Sequence, residues 1–175
     1  MKGKKLFLVF VMMVSVMVSA VCYAQISKED LNIGGIYFGQ PMSDVINKLG
    51  APVRRISTPP AGSAPVFRYG NNEIGVRGSE KSPVWGVWVV TGNGDGLFTS
   101  RGITVGSTYN EVIKAYGKAD SDSFITHPNV QHHSLLYYVP NTNPKDSKAK
   151  GVLIFDMSSE KKVIHVSFAE WGENY

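Results

Sequence analysis

The chain has 175 residues and a formal charge of +4, from 18 Lys and Arg against 14 Asp and Glu. Lys2, Lys4 and Lys5 supply most of that excess, and from Gln25 onward 15 basic residues meet 14 acidic ones. This near-neutral balance gives no support to a nucleic-acid partner, which needs a clustered basic face. The single cysteine, Cys22, excludes an intramolecular disulfide.

The three lysines open the first element. An apolar run follows from Leu6 to Val14 and continues past Ser15 and Ser19 to Val21. Cys22-Tyr23-Ala24 then offers a cleavage site before Gln25, with Val18-Ser19-Ala20 as a second. The apolar length, roughly 15 residues, falls short of the about 20 needed to span a bilayer. Residues 1–24 therefore read as a signal peptide, and the protein is expected to be exported, to the periplasm or outside the cell. Cys22 leaves with that segment. Lipid attachment wants a small residue before the cysteine, and Val21 is branched, so membrane association has no support after cleavage.

Two segments further on match at a spacing of 67 residues: Gly35-Ile36-Tyr37-Phe38-Gly39 through Val45-Ile46 to Gly50, and Gly102-Ile103-Thr104-Val105-Gly106 through Val112-Ile113 to Gly117. Each reads as a short helix. Met42, Val45, Ile46 and Leu49 lie on one apolar stripe, as do Tyr109, Val112, Ile113 and Tyr116. Pro41 suits a first helical position, Thr108 with Glu111 forms a capping-box pattern, and Gly50 and Gly117 suit helix ends.

Strand-like runs follow each helix: Val66–Tyr69, Glu73–Arg77 and Val84–Val90 in the first half, then Leu135–Val139, Val152–Phe155 and Val163–Phe168 in the second. Gly92–Gly96 reads as the joint, Pro140 to Lys150 as a long exposed connection, and the stretch between Gly117 and Leu135 as a polar loop. The expected fold is α+β: two tandem repeats, 25–96 and 97–175, each a short helix packed on a three-stranded antiparallel sheet, with the two sheets joined into one wider sheet.

The glycine-and-aliphatic helix motif resembles that of the BamE/SmpA-like small envelope proteins and of the β-lactamase-inhibitor-protein-like fold. That resemblance implies a helix on a three-stranded sheet, in tandem for the inhibitor type, and implies no catalytic residues.

Gly92-Asn93-Gly94-Asp95-Gly96 follows a strand but leads into no helix, so it lacks the helix N-terminus that holds a phosphate. The alternating acidic ligands of a calcium loop are missing around Asp95. His127, His132 and His133, with Asp120 and Asp122, are the one cluster with metal-ligand chemistry, yet adjacent histidines point to opposite sides of an extended strand. There is no nucleophile-elbow motif and no paired-carboxylate arrangement. The expectation is a protein that is not an enzyme and needs no cofactor or metal, and that binds another envelope or secreted protein. The alternative is a binder of a small molecule or cell-wall ligand, or less favourably a hydrolase.

The candidate surface comes from strand alternation. Ile164, Val166 and Phe168 form an apolar face opposite His165 and Ser167. By analogy Trp85, Val87 and Val89 face the core, while Gly86 and Trp88 face outward beside Arg68 and Arg77. Trp and Arg are enriched at interface hot spots. The candidate binding residues are thus Trp88, Arg68, Arg77 and His165, with Trp88 exposed enough that its truncation costs little stability.

Overall fold

The computed structural model describes residues 25–171 apart from 59–61, 80–81, 92–95, 128–129, 141 and 143–148; the expected signal peptide and most of the expected glycine-rich joint lie outside the described residues. Strands β1 (Asn32–Ile33) and β2 (Ile36–Tyr37) form a small hairpin ahead of helix α1 (Met42–Leu49). Helix α2 spans Tyr109–Tyr116. Its capping box is formed: the Glu111 N–H donates to the Thr108 hydroxyl, and the Glu111 carboxylate accepts from the Thr108 N–H at 2.7 Å. Pro41 is the N-cap of α1, one position earlier than its expected place. The glycines shared by the two motifs have a common cause. Gly35 and Gly102, Gly39 and Gly106, and Gly50 and Gly117 all have φ between 73° and 91°, which a side chain disfavours.

The sheet corrects the expected fold. The described chain is mostly β rather than α+β: one antiparallel sheet of eight strands, not two joined sets of three, dominates the structure, and only two short helices accompany it. The strands are β3 (Arg54–Thr58), β4 (Gly62–Tyr69), β5 (Asn72–Arg77), β6 (Gly86–Thr91), β7 (Ser121–His127), β8 (Val130–Pro140), β9 (Lys150–Met157) and β10 (Val163–Trp171). Their order is β3-β4-β5-β6-β10-β9-β8-β7, so each helix is followed by four strands and the halves join where β6 pairs with β10. The additional strands are β3 and β7, the two sheet edges. Arg54 and Arg55 give β3 the charged character of an edge strand. Strand β7 and the start of β8 occupy the stretch expected as a polar loop. Within the expected exposed connection, Thr142 and Ala149 are buried.

One sheet face carries the core. Phe67, Ile74, Val76, Val87, Val166, Phe168, Leu153, Phe155, Leu135 and Tyr137 are buried there against Leu31, Ile33, Ile36, Met42, Val45, Val112 and Tyr116. A bulge between Val163 and His165 shifts the register of β10. Val163 takes the inward place at 1% exposure and Ile164 is left 51% exposed, so the expected alternation fails at that residue. Ile46, also expected inward, is on the rim of its helix stripe and exposed.

Each helix is hung on a central strand in the same manner. Gly39 donates to the Val84 carbonyl and Val84 to that of Gln40; Gly106 donates to the Val163 carbonyl and Val163 to that of Ser107. These bonds hold the helix starts against the entries to β6 and β10.

Candidate functional site

The second sheet face lies away from the helices. A register row crosses it: Arg54, Val66, Gly75, Trp88, Ser167, Ile154, Leu136 and Ser121 are successive cross-strand partners. Ala64, Val66, Leu136 and Val152 are buried but stand outside the main core cluster. The indole of Trp88 lies over Gly75, where a Cβ would come within 1.9 Å of the ring. The glycine therefore makes room for the tryptophan, which ends half-buried. A glycine inside a strand often marks such a close approach.

The Arg77 guanidinium sits 5.2 Å from the Trp88 ring and 5.8 Å from that of Trp85, within cation–π range of both. Trp85 precedes β6 and is half-buried at the core edge, so it is less enclosed than alternation suggested. Among the described residues no carboxylate pairs with Arg77 or with the exposed Arg68. On the neighbouring strands Arg54 is paired to Glu73 at 2.7 Å. Further along the same face, His165 Nδ1 is 3.0 Å from Asp156 Oδ2, and the buried Ser134 hydroxyl donates to Asp156 Oδ1 at 2.5 Å. Asp156 stands between serine and histidine, so the imidazole is not placed to activate the hydroxyl, and the three do not form a catalytic triad.

A second feature lies at the far end of the helix-bearing face. A cleft of about 300 Å³ opens between the start of α2, the β7–β8 hairpin and the β9–β10 turn. Tyr109 donates its phenol hydrogen to Asp122 Oδ2 at 2.8 Å, and His133 Nε2 bonds Asp122 Oδ1. The His133 hydrogen bond, with help from Tyr109, holds the Asp122 carboxyl below its ordinary range. Phe124 stacks on the His133 ring at 5.1 Å and 26°, and Tyr109 stacks on it at 6.0 Å and 16°.

With both surfaces in place, the chain can be compared with known proteins. No protein-family model and no curated protein sequence matches it. Its fold is similar to that of a DUF4309 family protein, YjgB, from Bacillus subtilis: 16% identity, 78% of this chain and 83% of that chain covered, TM-score 0.50. It is also similar to a cysteine-rich secretory protein, SAV1118, from Staphylococcus aureus: 13% identity, 82% of this chain and 48% of that chain covered, TM-score 0.50. The chain thus spans about half the length of the staphylococcal protein. At such identities the likeness concerns the fold.

The structure brings Trp88 and Arg77 together and sets Arg68 and His165 on the same face at some remove, as the register of β4, β5, β6 and β10 dictates. Among the described residues of the histidine–aspartate cluster it brings together His133 and Asp122. Asp120 instead accepts from the Tyr138 N–H at 2.7 Å, and the side chains of His127 and His132 lie outside the described residues. Among the described residues no group of three or more metal-ligating side chains converges, and no helix is long and apolar enough to cross a membrane. Sequence pattern alone does not single out Tyr109 or Phe124: Tyr109 belongs to the apolar helix stripe, and Phe124 sits in a strand without apolar alternation.

Asp30 and Arg101 form a buried tether. Arg101 Nε and a terminal nitrogen donate to the two Asp30 oxygens at 2.7 and 2.6 Å, and Arg101 also donates to the Ala115 carbonyl at the end of α2. Burial pushes the Asp30 carboxyl up, but hydrogen bonds from Arg101, Ser27 and Ser100 outweigh it and hold the group below its usual range. This pair fastens the turn before β1 to α2 and is spent on structure.

Proposed function

We propose that the protein is an exported, non-enzymatic interaction module that binds another envelope or secreted protein through the open sheet face. The observation that carries this reading is the half-buried Trp88 with Arg77 over its ring and the exposed Arg68 further along the same face, neither arginine having a carboxylate partner among the described residues. Such a centre offers apolar area that is already ordered, plus donors that a partner's carboxylates or carbonyls satisfy. The signal-peptide pattern of residues 1–24 supports export, and the helix motif's resemblance to small envelope proteins is in keeping with a binding role. In the His165–Asp156–Ser134 chain the carboxylate is engaged by both neighbours, which suits a recognition surface better than a reaction centre.

The test is capture of the partner from the native cell surface with wild-type protein and with Arg68→Glu, which alters an exposed position only. One partner retained by wild type and released by the charge reversal supports the reading. Retention that ignores Arg68→Glu, and also ignores Trp88→Ala in protein shown to remain folded, overturns it.

A further inference from the structure

We infer that the cleft at the start of α2 is a binding site for a small anion carrying one flat ring, the ring lying on Phe124 and the anionic group meeting Lys161 and Ser158.

The cleft combines three features that ordinary packing does not require together. First, Phe124 is 70% exposed, although its ring is held in place by stacking on His133. An ordered aromatic with most of its surface in water is a ready platform for a flat apolar face. Second, the Lys161 ammonium stands 5.8 Å from the Tyr109 ring, and among the described residues no carboxylate pairs with it. Lys161 is also the one non-glycine residue with positive φ among those described, at 57°. A lysine in that region costs about 1 kcal/mol or more relative to glycine, and the tight turn it makes directs the chain so that its carbonyl accepts from the Tyr109 N–H. Third, the Ser158 hydroxyl oxygen accepts from the Glu160 and Lys162 N–H groups at 3.2 and 3.3 Å, which leaves its own hydrogen free to donate.

The internal network fixes the walls. Asp122 spends one oxygen on Tyr109 and the other on His133, so both oxygens of the carboxylate that lines the cleft are engaged and turned toward these two side chains. His133 and Tyr109 are thereby locked in rotation, as a preorganised site requires. The volume of about 300 Å³ lies at the small end of ligand pockets and fits one ring with its acid group. An aromatic carboxylate presents a flat π face beside its acid group, and a uronic acid presents the C–H face of a pyranose chair beside the same group, so each can lie on Phe124 while its carboxylate meets Lys161.

The test uses the exported protein, followed by chemical-shift mapping and calorimetry. Four probes are titrated: phenylacetate, glucuronate, acetate (charge without ring) and benzyl alcohol (ring without charge). The expected result is saturable binding of phenylacetate or glucuronate, with shifts at Tyr109, Phe124, Ser158 and Lys161. Acetate and benzyl alcohol should bind about tenfold more weakly or worse, since each forfeits on the order of one such contact. Whichever ring acid binds more tightly identifies the source of the ligand. Lys161→Met and Phe124→Ser each change an exposed side chain and should weaken binding about tenfold at unchanged melting temperature. Trp88→Ala should leave it unchanged, so this site and the sheet-face reading stand or fall separately. Absence of saturation by both ring acids, shifts elsewhere, or binding indifferent to Lys161→Met and Phe124→Ser overturns the inference.

Discussion

Gly75→Ala tests the arrangement at the centre of the sheet face. An ideal Cβ at Gly75 falls 1.9 Å from Trp88 Cε2 and 2.1 Å from Cζ2, far inside any real contact, and these are ring atoms of a side chain that is itself packed. The indole must leave its place. Overpacking of this kind costs about 1–3 kcal/mol, against a gain of about 0.5–1 kcal/mol for replacing a strand glycine by alanine. The net expectation is a loss of about 1–2 kcal/mol. Trp88→Ala alone should cost about 2 kcal/mol, below the about 3–5 of a fully enclosed tryptophan because Trp88 is half-buried. This revises the sequence expectation that the residue contributes little. In the Trp88→Ala background the new methyl enters vacated space, so Gly75→Ala should become neutral or stabilising. The double-mutant cycle should therefore show a coupling of about 1 kcal/mol or more. Urea unfolding of the four proteins measures it. An equal cost of Gly75→Ala in both backgrounds would refute the packing of Trp88 over Gly75.

Asp30→Asn should destabilise by about 2 kcal/mol at pH 6, somewhat under the range for fully buried pairs because Arg101 is one-fifth exposed and keeps its bond to Ala115. The Asp30 carboxyl is depressed in the folded state, so its contribution is present above the unfolded value near pH 4 and disappears as the pH falls through the folded one. Urea midpoints should accordingly fall less between pH 6 and pH 3 for Asp30→Asn than for wild type. Thr108→Ala removes the acceptor for the Glu111 N–H and should cost about 1 kcal/mol by the same denaturation assay. Gly117→Ala places a side chain at φ 80° and should cost about 1–2 kcal/mol, whereas Ala115→Gly within the same helix should cost only about 1.

Both helices were legible because they satisfy several independent local rules at once: an apolar stripe, a start signal and a glycine at the end. The six inner strands of the sheet were legible because one face of each is buried, which enforces alternation at Ile74 and Val76, or at Leu153 and Phe155. The edges were not. Strand β7 places Asp122 and Phe124 on its inward side, where they line the cleft, so the alternation that announces a strand is broken by the residues that make the site. Strand β3 carries Arg54 and Arg55, a charged edge that reads as loop. The outward placement of Trp88 followed from strand period, but its seating on Gly75 depends on cross-strand register, which no local pattern encodes. Ile164 was misplaced because a bulge inserts one residue without a sequence mark.

The proposed binding of a protein partner at the open sheet face is probed by a photo-reactive side chain placed at Arg68 and, separately, at Phe98, which is 47% exposed but lies by the β1–β2 hairpin on the helix side. After illumination at the native cell surface, the Arg68 position should yield one protein adduct of defined mass and the Phe98 position none. Adducts from Phe98 alone, or none from Arg68 in folded and correctly exported protein, would contradict the claim.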